Sequence, residues 1–188
     1  MIKEIEGNHK YIAVAGFKNV KITDVNAFLN AVRQKIRDTC VQFFDARFIA
    51  TEEHLFFAAL NALRAFESKL SISNSLAMET LLFASAQRQI TKATDILGIK
   101  AESQRVAVLI IGETQQTATT TLERISKIVP GERDDSVLEL NKEKFEAVRR
   151  LFGISDFELN AKLEKTGLEN EALVDLVIEH VALLATQR

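Results

Sequence analysis

The sequence predicts a mixed α+β (α/β) fold: one small sheet of about four strands, seven or eight helices, and a helix-rich C-terminal half. Three observations predict it. Strand-length apolar runs fall at residues 9–17, 40–46 and 106–111. Between and after them, apolar side chains recur at the i, i+3, i+4, i+7 spacing of amphipathic helices. Beyond Asn141 every periodic segment is helical. With one proline, seven scattered glycines and no repeat or linker, residues 1–188 read as a single globular domain.

In chain order, residues 9–17 (HKYIAVAGF) mix aromatic and β-branched side chains and predict a strand ending near Gly16. Asp24 is placed to cap a helix whose apolar stripe is Val25, Phe28, Leu29, Val32 and Ile36. Residues 40–46 (CVQFFDA) form the next strand, on which Cys40 reads as a small apolar residue rather than a nucleophile. Thr51 is the expected N-cap of a second helix, with Glu52 and Glu53 at its positive end. Apolar almost all round from Leu55 to Leu60, this helix is expected to be central, and its polar stripe narrows to Asn61, Arg64 and Ser68. His54 reads as a first-turn surface or capping residue, since no second ligand is spaced to make it a metal site.

Residues 75–99 carry two helical signals back to back. Met78, Leu81, Leu82 and Ser85 share one face, and Ile90, Ala93 and Leu97 share another, with Gly98 and Ile99 predicting a left-handed stop. Between them lies a polar knot, Gln87, Arg88 and Gln89. A guanidinium flanked by amides just before a helix N-terminus suits an anion, because uncapped N–H groups and the positive dipole end converge there. The competing reading is a solvated corner between helices; separately, a Glu79–Arg88 pair across the turn reads first as a structural ion pair rather than an acid/base site.

Residues 106–111 (VAVLII) are continuously apolar, as in a strand covered on both faces. The next helix turns Ala118, Leu122, Ile125 and Val129 inward, starts weakly through three consecutive threonines and stops at Pro130 and Gly131. Asn141 caps a helix carrying Phe145, Val148 and Phe152 and closing at Gly153, and Ser155 with Glu158 forms a capping box for a short helix ending at Gly167. In the last helix, about 169–185, Leu173, Val177 and Leu184 supply one stripe. Val174, Ile178 and Val181 form a second row beside it, expected to dock on a partner with Asp175 and Glu179 as its polar rim; the competing reading places the row in the core.

Composition narrows the function. A net charge of −2 argues against coating a nucleic acid along its length, yet residues 1–105 carry 14 basic and 11 acidic side chains and residues 131–188 carry 8 and 13. A polyanion should therefore meet the first half. No apolar stretch approaches a membrane span, and a lone cysteine fits a reducing cytoplasm. His9, His54 and His180 are far apart, no two glycines form a phosphate loop, and no cysteine or histidine pair has ligand spacing. The chain is expected to be no enzyme, with no catalytic residue, metal or cofactor of its own.

The run ETLLFASAQRQI (residues 79–90) with the segment leading to Gly98 resembles the small RNA-binding subunit of the archaeal and eukaryotic KEOPS complex, the homologue of the p53-related-kinase-binding protein. The resemblance extends to DARFI (residues 45–49), the helix carrying His54 and Ala58, and the strand at 106–111. It implies a non-catalytic subunit that binds the single-stranded 3′ CCA end of tRNA and docks on the atypical kinase/ATPase subunit, supporting threonylcarbamoyladenosine modification. Under that resemblance Arg88 leads the contacts to the tRNA end, Gln89 bonds a base edge or ribose, and Ile90 and Lys69 border the pocket. The family often has glycine where this chain has Ala86, so a turn there that needs positive φ is strained. The alternatives are a stand-alone enzyme or binding protein for a small anionic ligand, and a kinase regulator without RNA contact.

Overall fold

The computed structural model describes residues 1–5, 9–37, 39–166 and 168–186. Four strands lie in the order β1 (Ile2–Ile5), β2 (Lys10–Lys18), β4 (Val106–Gly112), β3 (Cys40–Asp45), and a two-residue β5 (Glu132–Arg133) also pairs with β2. All pairings are antiparallel, with Val14 opposite Leu109 and Phe43 opposite Val108. The eight α-helices among the described residues and this sheet are the predicted mixed fold, and α6 to α8 make the C-terminal part helical.

The period of two along each strand sorts side chains into two cores. Ile12, Val14, Phe44, Leu109 and Ile111 face α2 (Glu52–Glu67), α3 (Leu76–Ala84) and α4 (Ile90–Leu97). Ala13, Ala15, Phe17, Val108 and Ile110 face the other way, against α1 (Val25–Lys35) and α5 (Gln115–Ile128). Every residue of β4 is buried, as its unbroken apolar run requires. A third cluster joins α6 (Lys142–Phe152), α7 (Asp156–Thr166) and α8 (Glu169–Leu183) around Val148, Leu173 and Val177.

Local chemistry placed most helix ends. Asp24 and Asn141 accept the expected cap bonds from Ala27 and Lys144, and Ser75 accepts a further one from Met78 at the start of α3. Ser155 N–H donates to Glu158 Oε2 at 2.8 Å and Glu158 N–H to Ser155 Oγ at 3.2 Å, which is the capping box. Gly153 takes the left-handed stop at φ 65°. The predicted stop at Gly167 lies outside the described residues.

Five expectations need correction. β2 runs through Gly16 to Lys18, because the turn at residues 134–137 packs on that strand and a Cβ at Gly16 would lie 2.6 Å from the Asp134 carbonyl oxygen. Gly98 is extended (φ −65°, ψ 148°), not left-handed; its lack of a Cβ serves the close approach of the Thr94 carbonyl oxygen, 2.5 Å from where that carbon would lie. Thr51 occupies the N-cap of α2 but makes no cap bond, and its buried hydroxyl has no partner among the described residues. His54 is fully buried, since α2 is central from its first turn. Finally, the row Val174, Ile178, Val181 is not an exposed face. Val174 sits with Phe145 and Val148, Val181 is in the core under the sheet, and Ile178 is half-buried against the helical cluster. Because α8 contacts α2, α6 and α7 at once, both flanks of its stripe are covered.

Candidate nucleic-acid interface

The polar knot is built by the way α3 ends. Gln87 N–H reaches Leu82 O at 3.0 Å and Ala86 N–H reaches Phe83 O at 3.0 Å, the paired bonds of a Schellman stop with Ala86 in the left-handed position at φ 49°. The strain inferred from alanine at that position is therefore present. The same device ends α2: Leu70 N–H bonds Ala65 O at 2.9 Å, Lys69 N–H bonds Phe66 O at 3.1 Å, and Lys69 is left-handed at φ 57°. Two of the four non-glycine residues with positive φ among the described residues thus lie at these helix ends, and backbone strain of this kind concentrates at functional sites.

Between the two stops lies a groove of about 200 Å³, lined by Asn61, Arg64 and Ser68 of the α2 polar stripe, Leu70 and Ile72 of the following loop, Phe83, Arg88 and Leu184. Arg88 is exposed, as are Arg64 and Lys69. Leu70 is 68 % exposed and Ile90 is 45 % exposed at the first position of α4. Gln89 caps that helix only by its backbone; its side chain makes no cap bond and is exposed. The structure therefore brings Arg88 into the groove, sets Lys69 between two of its lining residues, and leaves Gln89 and Ile90 just beyond Arg88 in the chain.

Glu79, a candidate ion-pair partner of Arg88, has each carboxylate oxygen engaged by a backbone N–H. Its carboxylate is fully buried and accepts Ile72 N–H at 3.0 Å and Ser73 N–H at 2.7 Å, which holds the loop that forms one wall. His54 braces the other side of α3. Its Nδ1 accepts Ala50 N–H at 3.2 Å and its Nε2 donates to Ala84 O at 2.8 Å, and burial holds its pKa down to about 4, so the ring is neutral.

Cations beside exposed apolar faces can take a ligand that carries phosphate and flat bases together. Sequence reasoning saw Asn61, Arg64 and Ser68 only as a polar stripe, and it missed Leu70 and Ile72. Two apolar residues just past a helix end, next to its terminal lysine, were the available signal. Cys40, at the start of β3, has its thiol pushed up to about 12 by burial, which removes it as a nucleophile at neutral pH. No group of metal-ligand residues lies together among the described residues, and no described helix is long and apolar enough to cross a membrane.

Fold and groove define a small α+β protein whose helix ends present cations and apolar side chains on one surface. The family model described as kinase binding protein CGI-121 matches residues 17–185. The regulatory protein Cgi121 of Methanocaldococcus jannaschii is 35 % identical over 135 residues, covering 72 % of this chain and 83 % of that protein. The chain belongs to the CGI-121 kinase-binding family.

Proposed function

We propose that this chain is a non-catalytic KEOPS subunit that binds the single-stranded 3′ CCA end of tRNA in the groove beside Arg88 and docks on the atypical kinase/ATPase subunit, supporting threonylcarbamoyladenosine formation in the cytoplasm. One observation carries the RNA part: Arg64 and Arg88 line one groove with Phe83, Leu70 and Ile72, and the exposed Lys69 lies in the chain between its lining residues Ser68 and Leu70. In this reading Arg88 and Lys69 meet phosphate, Gln89 reaches a base edge or ribose, and Ile90 and Leu70 lie against splayed bases. Few phosphate contacts imply a shallow salt dependence, a log–log slope of about −0.7 per phosphate. The test compares intact tRNA with tRNA trimmed of its CCA end at fixed salt. Intact tRNA should bind more tightly, and Arg88→Glu should abolish that difference while leaving thermal stability unchanged. Equal affinity for both tRNAs would overturn the CCA-end reading, and binding of neither would leave a kinase regulator without RNA contact.

For the kinase partner, the buried row on α8 offers nothing to dock on. Apolar side chains left in water in the helical part include Leu168, 57 % exposed at the N-cap of α8, and Phe157, 82 % exposed on the first turn of α7, with Leu183, 54 % exposed at the end of α8. Asp175 and Glu179, expected as a rim, instead hold Lys162 at 3.3 and 2.6 Å and tie α7 to α8. The docking face in this reading is the end of the α7–α8 pair. Phe157→Asp should lose the kinase in pull-down and retain tRNA binding; retained kinase binding places the face elsewhere.

A further inference from the structure

A second cationic cleft, of about 260 Å³, shares no residue with the groove. Lys18 from β2, Arg47 from the 3₁₀ turn after β3, Arg105 just before β4 and Lys144 from α6 line it, with Asp134 and Glu139. Two of the four cations already have carboxylates. Lys18 Nζ lies 2.8 Å from Asp134 Oδ2, and Asp134 also accepts from Ser136 N–H and Oγ. Arg47 binds Asp45 through Nε and Nη2, and Ser103 Oγ donates to that same buried carboxylate at 2.7 Å. Those acids have little left to offer the other two.

Lys144 is only 5 % exposed, and its ammonium makes one hydrogen bond, to Val137 O at 2.8 Å. An ammonium has three donors, so two lack a partner among the described residues. The Arg105 guanidinium makes no hydrogen bond or ion pair among the described residues, and it is close enough to repel Lys144. Glu139 on the rim attracts Lys144 but accepts no hydrogen bond from it. A buried cation facing a second cation is costly unless something negative sits between them.

We propose that this cleft binds a phosphate dianion, held between Lys144 and Arg105 at the N-terminal end of α6. A tetrahedral oxyanion offers acceptors both to the idle ammonium protons and to a guanidinium fork. Two uncompensated charges match a dianion better than the single charge of a phosphodiester. The volume is below the roughly 300–1,000 Å³ of a drug-sized pocket, which suits inorganic phosphate or a small phosphomonoester.

Burial, then Arg105, hold Lys144 down to about 8, with Glu139 opposing, so a bound anion should return its proton. The charged and titratable groups around it are the guanidiniums of Arg47 and Arg105, the carboxyl groups of Asp45, Asp134 and Glu139, the neutral ring of His54, and Lys18. Asp134 holds Lys18 up and is itself held down to about 2, first by Lys18. Lys144 is therefore the lysine of the cleft that titrates in mildly alkaline solution.

The experiment is calorimetric titration of the full chain with inorganic phosphate, glycerol phosphate and dimethyl phosphate at constant ionic strength. Phosphate should bind with proton uptake near pH 8 and weaken as pH rises further. Arg105→Gln, an exposed substitution that leaves the fold intact, should weaken it at least about tenfold; Lys144→Met should abolish the proton uptake, and Arg88→Glu should change nothing. Glycerol phosphate binding as tightly as phosphate identifies a phosphomonoester as the source, and selective binding of phosphate identifies the free ion. Undiminished binding by Arg105→Gln, or dimethyl phosphate binding as tightly as phosphate, overturns the proposal.

Discussion

Replacing Glu79 by glutamine tests whether a buried carboxylate, rather than the knot beside it, sets the groove. Each oxygen of Glu79 accepts one backbone N–H, from Ile72 and Ser73, and the side chain is fully buried. The glutamine variant keeps one acceptor and turns an amide N–H toward a backbone N–H. A hydrogen bond to a charged acceptor contributes about 1.5–3 kcal/mol, and a buried donor left unmet costs a similar amount. Ser73 is buried but Ile72 is 36 % exposed, so the Ile72 N–H can turn to water and the lower end applies. The expected loss is about 2 kcal/mol for Glu79→Gln and about 3 kcal/mol for Glu79→Ala, which adds a cavity. For a chain of this length that is about 4–8 °C in melting temperature for the glutamine variant. Urea unfolding gives the magnitude, and amide hydrogen exchange at Ile72 and Ser73 gives the place. Affinity for the tRNA end should fall as well, because Leu70 and Ile72 lose their support. A glutamine variant within about 0.5 kcal/mol of the parent, with both amides still protected, refutes this account of the loop.

Three further outcomes follow from the same structure. His54 takes a proton near 6.5 in the unfolded chain and near 4 in the fold, so its contribution is complete above about pH 6.5 and falls as pH drops toward 4, by about 3 kcal/mol. In His54→Gln the acid loss of stability, read by urea midpoints across that range, should shrink by that amount; an unchanged slope assigns it to other groups. Lys69→Gly should stabilise the chain by about 0.5–1 kcal/mol, the relief of a left-handed lysine less the added freedom of the unfolded chain, while weakening binding of the tRNA end. Loss of stability in that variant would mean that the lysine side chain, not the backbone, matters there. Val181→Asp should cost about 4 kcal/mol or more, since it places a charge in a fully buried site. A folded Val181→Asp protein that loses only its kinase partner would return the row to the surface.

Some of this was legible in the candidate site and some was not. Arg88 was readable because a cation between two amides serves no core, whereas the left-handed turn at Ala86 was readable only through the family resemblance, in which glycine often stands at that position. Arg64 and Leu70 were not, since each lies a helix away in sequence and joins Arg88 only when α3 folds back along α2. The cleft at Lys144 gathers residues from β2, the turn after β3, the approach to β4 and α6, and no window of sequence contains them.

The sequence by itself determined what is decided within a few residues. Caps at Asp24, Ser75, Asn141 and the Ser155–Glu158 box depend on bonds spanning three positions, and the burial of β4 follows from an apolar run that has no polar face to show water. Only the tertiary structure decided which of two apolar rows on α8 faces a neighbour. Amphipathic spacing measures how much of a helix is apolar, not how many elements pack on it, and α8 meets α2, α3, α6 and α7. The same reason put His54 inside and left Ile90 outside: burial belongs to the partner that arrives from elsewhere in the chain, and at the first turn of α2 one arrives, while at the first turn of α4 Ile90 stays open to solvent.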